Sequence, residues 1–129
     1  MQKQKIACRK VFDPKGQFSK ALLVEARKWL FISGECPYDA DGKLVGKGDV
    51  EAQTRQVFLN LQRQLAEVGA DFSHVVKMTY FLTRAEDIPA FRKVRQEFLT
   101  GDCPTASLLI VKGLADPDML VEIEAMAAL

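Results

Sequence analysis

Four short segments of this chain are apolar on consecutive positions, where a half-buried strand would alternate: Trp29–Ile32, Val75-Val76, Tyr80–Leu82 and Leu108–Val111. Strands of that kind are covered on both faces. In a chain of 129 residues the covering material is scarce. The periodicity offers only two helices, and two helices lying side by side cover one face of a sheet. The second face then needs another copy of the chain, so a homo-oligomer with sheet-to-sheet contacts is expected.

The first helix is marked by Val50, Thr54, Val57, Phe58, Leu61, Leu65 and Val68 on one face, with Asp49 as N-cap and Gly69 as the left-handed residue past its end. A second helix opens at Glu86 or Asp87, buries Ile88, Phe91, Val94 and Phe98, and stops before Gly101. Strands are expected at Ile6–Phe12, Ala21–Val24, Trp29–Gly34, Val75–Leu82, Ser107–Val111 and Leu120–Ala127, with turns at Asp13-Pro14-Lys15-Gly16 and Asp39-Ala40-Asp41-Gly42. Each helix lies in a crossover long enough to join parallel strands. The fold class is therefore α+β: about six strands in a mixed sheet with both helices on one face, as a single domain over residues 1–129.

Composition narrows the function. With 48% hydrophobic and 27% charged residues the chain has the makeup of an ordinary globular domain. Eighteen basic against 17 acidic side chains leave a net charge of +1, without the basic excess that non-specific nucleic-acid binding requires. Three widely spaced cysteines and one histidine make neither a zinc site nor a disulfide framework. No apolar run reaches the length of a membrane span, and Lys3, Lys5, Arg9 and Lys10 are not followed by a signal-peptide core. Reduced cysteines and a cytoplasmic location are the expectation.

Several segments in order resemble the RidA/YjgF family, known for enamine/imine deaminase activity. They are Phe31-Ile32-Ser33-Gly34-Glu35, then Asp49–Val57 with Asn60-Leu61, Val68-Gly69-Ala70, Val75-Val76-Lys77, Phe81-Leu82-Thr83 and Val121-Glu122-Ile123-Glu124-Ala125. The resemblance covers nearly the whole chain. It implies a chorismate-mutase-like fold, a homotrimer, a small-molecule cleft at each subunit interface, and chemistry that needs no cofactor or metal. It also implies a water-holding carboxylate at Glu122 and a ligand-contacting serine at Ser33.

Two departures stand out. Where well-studied members read Pro-Ala-Arg-Ser, this chain reads Pro104-Thr105-Ala106-Ser107, so Ala106 replaces the arginine that clamps a substrate carboxylate. A bidentate, charge-assisted pair of that kind is worth roughly ten- to a hundredfold in affinity. Phe18 stands where tyrosine is usual. The chain is thus similar to the arginine-lacking subgroups.

Further candidates carry competing readings. Cys103 and Thr105 lie beside the same segment, as cleft residues or as ordinary turn residues, and Ser107 has no acid–base partner to make it a nucleophile. Cys36 is a second candidate thiol. His74 reads as a surface residue, and Glu124 as structural. Arg95 lies inside the apolar stripe of the second helix, between Phe91 and Phe98, and Arg92 on its flank close to Ile88. Either they snorkel into water, or one reaches the cleft and partly replaces the missing clamp. Three functions follow: hydrolysis of an imine or enamine other than 2-aminoacrylate, binding of a metabolite by a non-catalytic regulatory trimer, and, disfavoured by charge and by the lone histidine, RNA cleavage.

Overall fold

The computed structural model describes residues 1–129. Its strands are β1 (Gln2–Lys5), β2 (Leu22–Glu25), β3 (Trp29–Glu35), β4 (Val75–Leu82), β5 (Thr105–Ile110) and β6 (Val121–Ala128); its α-helices are α1 (Val50–Ala66) and α2 (Ile88–Phe98). The six strands divide into two sheets. β1 and β2 form an antiparallel ribbon, while the main sheet has the order β3-β6-β4-β5. β4 and β5 are parallel neighbours, as the crossover through α2 predicts. β3 and β4 are not neighbours, because β6 inserts between them antiparallel to both.

α1 begins where expected: Asp49 accepts a hydrogen bond from the Ala52 amide at 3.1 Å. It ends in a turn closed by Ala70 N to Leu65 O, with Gly69 at φ 71°, a conformation glycine adopts without steric penalty. Asp87 flanks α2, but its carboxylate is taken by Arg84 at 2.8 Å and caps no amide. The helices pack side by side on one face of the main sheet. Phe58 stacks on Phe98 with centroids 5.1 Å apart, and Arg55 pairs with Glu97 at 2.9 Å across the helix–helix seam.

Below them lie Met78, Tyr80 and Leu82 of β4 and Val121, Ile123 and Ala127 of β6, which with Val57, Phe58, Leu61, Leu65 and Phe91 form the core. Each large side chain so buried contributes about 1.5–3 kcal/mol. The opposite face of the sheet is open within one chain. Phe31 is 71% exposed there, and Trp29 and Leu109 are also exposed. The consecutive apolar runs thus have one covered and one uncovered side.

The strand expected at Ile6–Phe12 is not there. The first strand is the polar Gln2–Lys5, paired with Leu22–Glu25, and the apolar residues after it run through a loop in which Phe12 is 81% exposed. A two-stranded ribbon with solvent on its sides does not need an apolar alternation. The loop from residue 6 to residue 20 is instead tied to the start of β5 by Ser19, whose amide donates to Pro104 O at 2.9 Å and whose hydroxyl donates to Cys103 O. β5 also begins two residues before the expected Ser107, directly after Pro104.

Gln53 lies on the buried stripe of α1 and is completely enclosed. Its side chain accepts from the Leu120 amide at 2.7 Å and donates to Asp118 O at 2.9 Å and Gly46 O at 3.2 Å. It therefore fixes the chain just before β6. Gln53→Leu should leave the amide of Leu120 and the carbonyl of Asp118 without partners, lowering stability in urea titration by about 2–4 kcal/mol. Gln62→Leu on the exposed side of α1 should change it by less than about 0.5 kcal/mol. Equal effects would contradict the anchoring role.

Candidate functional site

The alternation of β6 sends Val121, Ile123, Ala125 and Ala127 into the core, while Glu122, Glu124 and Met126 face the open side. Glu122 lies opposite Phe81 of β4 and over the bulged end of β3. A Cβ on Gly34 would come within 2.8 Å of the Glu122 carboxylate carbon and Oε2. A side chain at residue 34 would therefore displace the carboxylate from this position. The Cys36 thiol donates to Glu122 Oε1 at 3.1 Å, which fixes one oxygen and leaves the other available.

Cys36 is itself placed by α1. Asn60 Nδ2 lies within hydrogen-bonding distance of Tyr38 O (2.8 Å), Glu35 Oε1 (3.1 Å) and Cys36 O (3.3 Å), clipping the segment after β3 to the helix. Glu35 is held from the same helix by Gln64. Ser33 lies on the open face in a shallow depression of about 270 Å³, with Phe31, Lys77, Thr79, Glu124 and Met126 around it. Ser107 is on this face too, opposite Thr79. Its neighbour Thr105 donates its hydroxyl to Val76 O at 2.7 Å, so that proton serves the fold.

The remaining candidates are on the other side of the sheet. Ala106 pairs with the core residue Met78. It lines a cavity of about 460 Å³ with Gly16, Gln17, Phe18, Tyr80, Arg92, Arg95, Gln96 and Leu108. The structure thus brings together Phe18, Ala106, Arg92 and Arg95, and separately Glu122 with Cys36 and Gly34. Arg95 does not snorkel: it is buried, its Nε donates to Gln17 Oε1 at 3.2 Å, and its guanidinium lies over the Tyr80 and Phe91 rings. Arg92, one turn earlier, is exposed.

Cys103 is half-buried against the core, its thiol directed at Gly101 O at 3.7 Å. His74 takes part in a local cap, its Nδ1 accepting from the Asp71 amide at 3.1 Å. Hydrogen bonds from Ser73 are the main cause holding the Asp71 carboxyl below its usual range. Sequence reasoning does not single out Gln53, Asn60 or Gln17. The first two carry a signal, since amides on or beside an apolar helical stripe must find partners when buried.

With this geometry in hand, comparison with known proteins is decisive. The sequence model of the family described as Endoribonuclease L-PSP matches residues 8–129. The chain belongs to the Rid (RidA/YjgF) family. A curated relative, protein DfrA of Myxococcus xanthus, is 39% identical over 87% of this chain and 85% of its own length. A RutC family protein of Pyrococcus abyssi is 32% identical over 98% of both chains. Among solved structures, the Rid family protein YyfB of Yersinia pestis superposes with a TM-score of 0.90 at 30% identity over the full length of both. The α+β architecture expected from sequence is thus that of a known Rid fold, and no helix is long and apolar enough to cross a membrane.

Cys36 gives the site a chemical signature. Burial pushes its thiol up to about 12, with the Glu122 hydrogen bond and the charges of Glu122 and Glu35 adding to it. An unfolded chain releases this proton near 9.0. The thiol's contribution to stability is therefore present below that pH and is lost as pH rises through the folded value. At pH 8, iodoacetamide should modify exposed Cys8 and spare Cys36, as resolved by peptide mass analysis. Glu122→Gln should speed Cys36 modification. Cys36 reacting as fast as Cys8 in the unaltered protein would contradict the Glu122 contact.

Proposed function

We propose that the chain forms a homotrimer in which the open sheet face is covered by other copies. Each cleft then combines the Glu122–Gly34–Cys36–Ser33 group of one protomer with the Phe18–Ala106 cavity of its partner. In that cleft the protein hydrolyses an imine or enamine to a carbonyl compound and ammonia, with no cofactor. The supporting observation is the Glu122 carboxylate, held by a thiol on one oxygen and seated against a glycine on the uncovered face of the sheet. Its free oxygen can hold and orient a water. Ser33 and main-chain amides polarise the substrate. Positioning supplies much of the acceleration for a substrate that is already unstable.

Ala106 sets the substrate apart. Without a guanidinium on β5, a small 2-imino acid such as the tautomer of 2-aminoacrylate loses its anchor. The same residue supports a second reading, a metabolite-binding regulatory trimer that does not turn its ligand over. RNA cleavage, the activity in the family model's name, is disfavoured, because the sole histidine is engaged with Asp71 and no basic excess exists.

The unaltered protein should accelerate hydrolysis of 2-aminoacrylate, generated in situ, little or not at all. Ala106→Arg should restore it. Adding Glu122→Gln to that variant should remove roughly a hundredfold or more of the restored rate. An unchanged rate in the double variant would overturn the role of Glu122. Turnover that Ala106→Arg fails to raise would favour the binding reading.

A further inference from the structure

Arg95 is only 8% exposed, yet it takes part in none of the molecule's ion pairs. Its protein contacts are neutral: Gln17 Oε1 at 3.2 Å from Nε, and the rings of Tyr80 and Phe91 with centroids 5.6 and 5.7 Å from the guanidinium carbon. Burial is the main influence lowering its pKa, Tyr80 opposes it, Arg92 adds to it, and no carboxylate acts on it. The contrast with Arg55 and Lys93 is sharp, since each of these has a glutamate across the helix seam.

A buried cation without a counter-ion is expensive, and an arginine cannot escape by losing its proton. Arg92 lines the same cavity and is likewise unpaired, which raises the local positive potential further. The cavity wall is completed by Phe18, Tyr80 and Leu108, with Ala106 too small to fill the space beside them. A planar guanidinium facing such a space is suited to a carboxylate, which it can hold through two parallel hydrogen bonds.

We infer that Arg95, supported by Arg92, is an anion site that receives the carboxylate of an organic acid whose apolar body lies against Phe18, Tyr80 and Leu108. The anchor that the family resemblance implies on β5 is supplied here from α2. The acid therefore extends from the helix side of the cavity, and a body longer than that of 2-aminoacrylate is favoured. Only the placement of this cavity in a catalytic cleft rests on the function proposed above; carboxylate binding does not require turnover.

Benzoate and benzamide share a ring and differ in charge, so titrating the full chain with each by heteronuclear NMR isolates the anion site. Benzoate should bind at least tenfold tighter, with shifts around Phe18 and Leu108, and its advantage should shrink as salt is raised. Arg95→Met should erase the advantage, and Arg92→Ala should reduce it several-fold. Equal binding of the two probes to the unaltered protein, or an advantage that survives Arg92→Ala and Arg95→Met, would overturn the inference. Should Arg95→Met fail to fold, Arg92→Ala at its exposed position and the salt dependence of the unaltered protein still decide. A missing benzoate preference would leave the Glu122 chemistry standing, and an inert Glu122 would leave benzoate binding standing.

Discussion

The last strand, β6, is hydrogen-bonded on both edges to strands that run opposite to it, so any shift in its register would be felt by β3 and β4 together. A one-residue slip would put Glu122 and Glu124 into the core and Ile123 and Ala125 onto the open face. That register is held at the strand's entrance by Gln53, a fully buried amide reaching across from α1. The helix that covers the core thus also determines where the carboxylate stands. Core packing and site geometry share one constraint.

From that constraint the division of the site follows. β6 places Glu122 on the open face, while β5, parallel to β4, turns Ala106 toward the helices and into the cavity below α2. The loop from residue 6 to residue 20 has no partner strand, and it delivers Gln17 and Phe18 to that cavity through the Ser19 anchor. One chain therefore carries two groups of candidate residues on opposite faces of a single sheet. The exposed Trp29, Phe31 and Leu109 beside the first group give a physical reason for the oligomer we propose, since they would leave water when another copy covers that face.

Much of this was legible in the sequence where local pattern and burial coincide. The 3.6-residue stripe of α1, the Asp49 cap, Gly69 and the two-residue alternation of β6 each report a local face, and the structure uses each as read except at Val68, which lies past the helix end at Ala66 and is exposed. The polar Gln2–Lys5 strand was hidden because its ribbon has no buried face to impose a pattern. Insertion of β6 between β3 and β4 was hidden for a different reason: both helical crossovers are compatible with adjacent parallel strands, and only long-range pairing decides between the topologies. Arg95 shows the same limit. Its place on the apolar stripe was visible, but not its contact with Gln17, 78 residues away in sequence. The proton of Thr105, a candidate ligand donor from its position, goes to the neighbouring strand at Val76.

The central claim is that the two groups face one another only across two copies of the chain. In a background with Cys8, Cys36 and Cys103 replaced by alanine, co-expression of one tagged chain carrying Phe18→Cys with another carrying Ser33→Cys tests it directly. A short bis-maleimide should join the two differently tagged chains covalently, while a chain carrying both substitutions should form the link between copies and not within itself. Absence of an inter-chain product, or a link formed within single chains, would contradict the account.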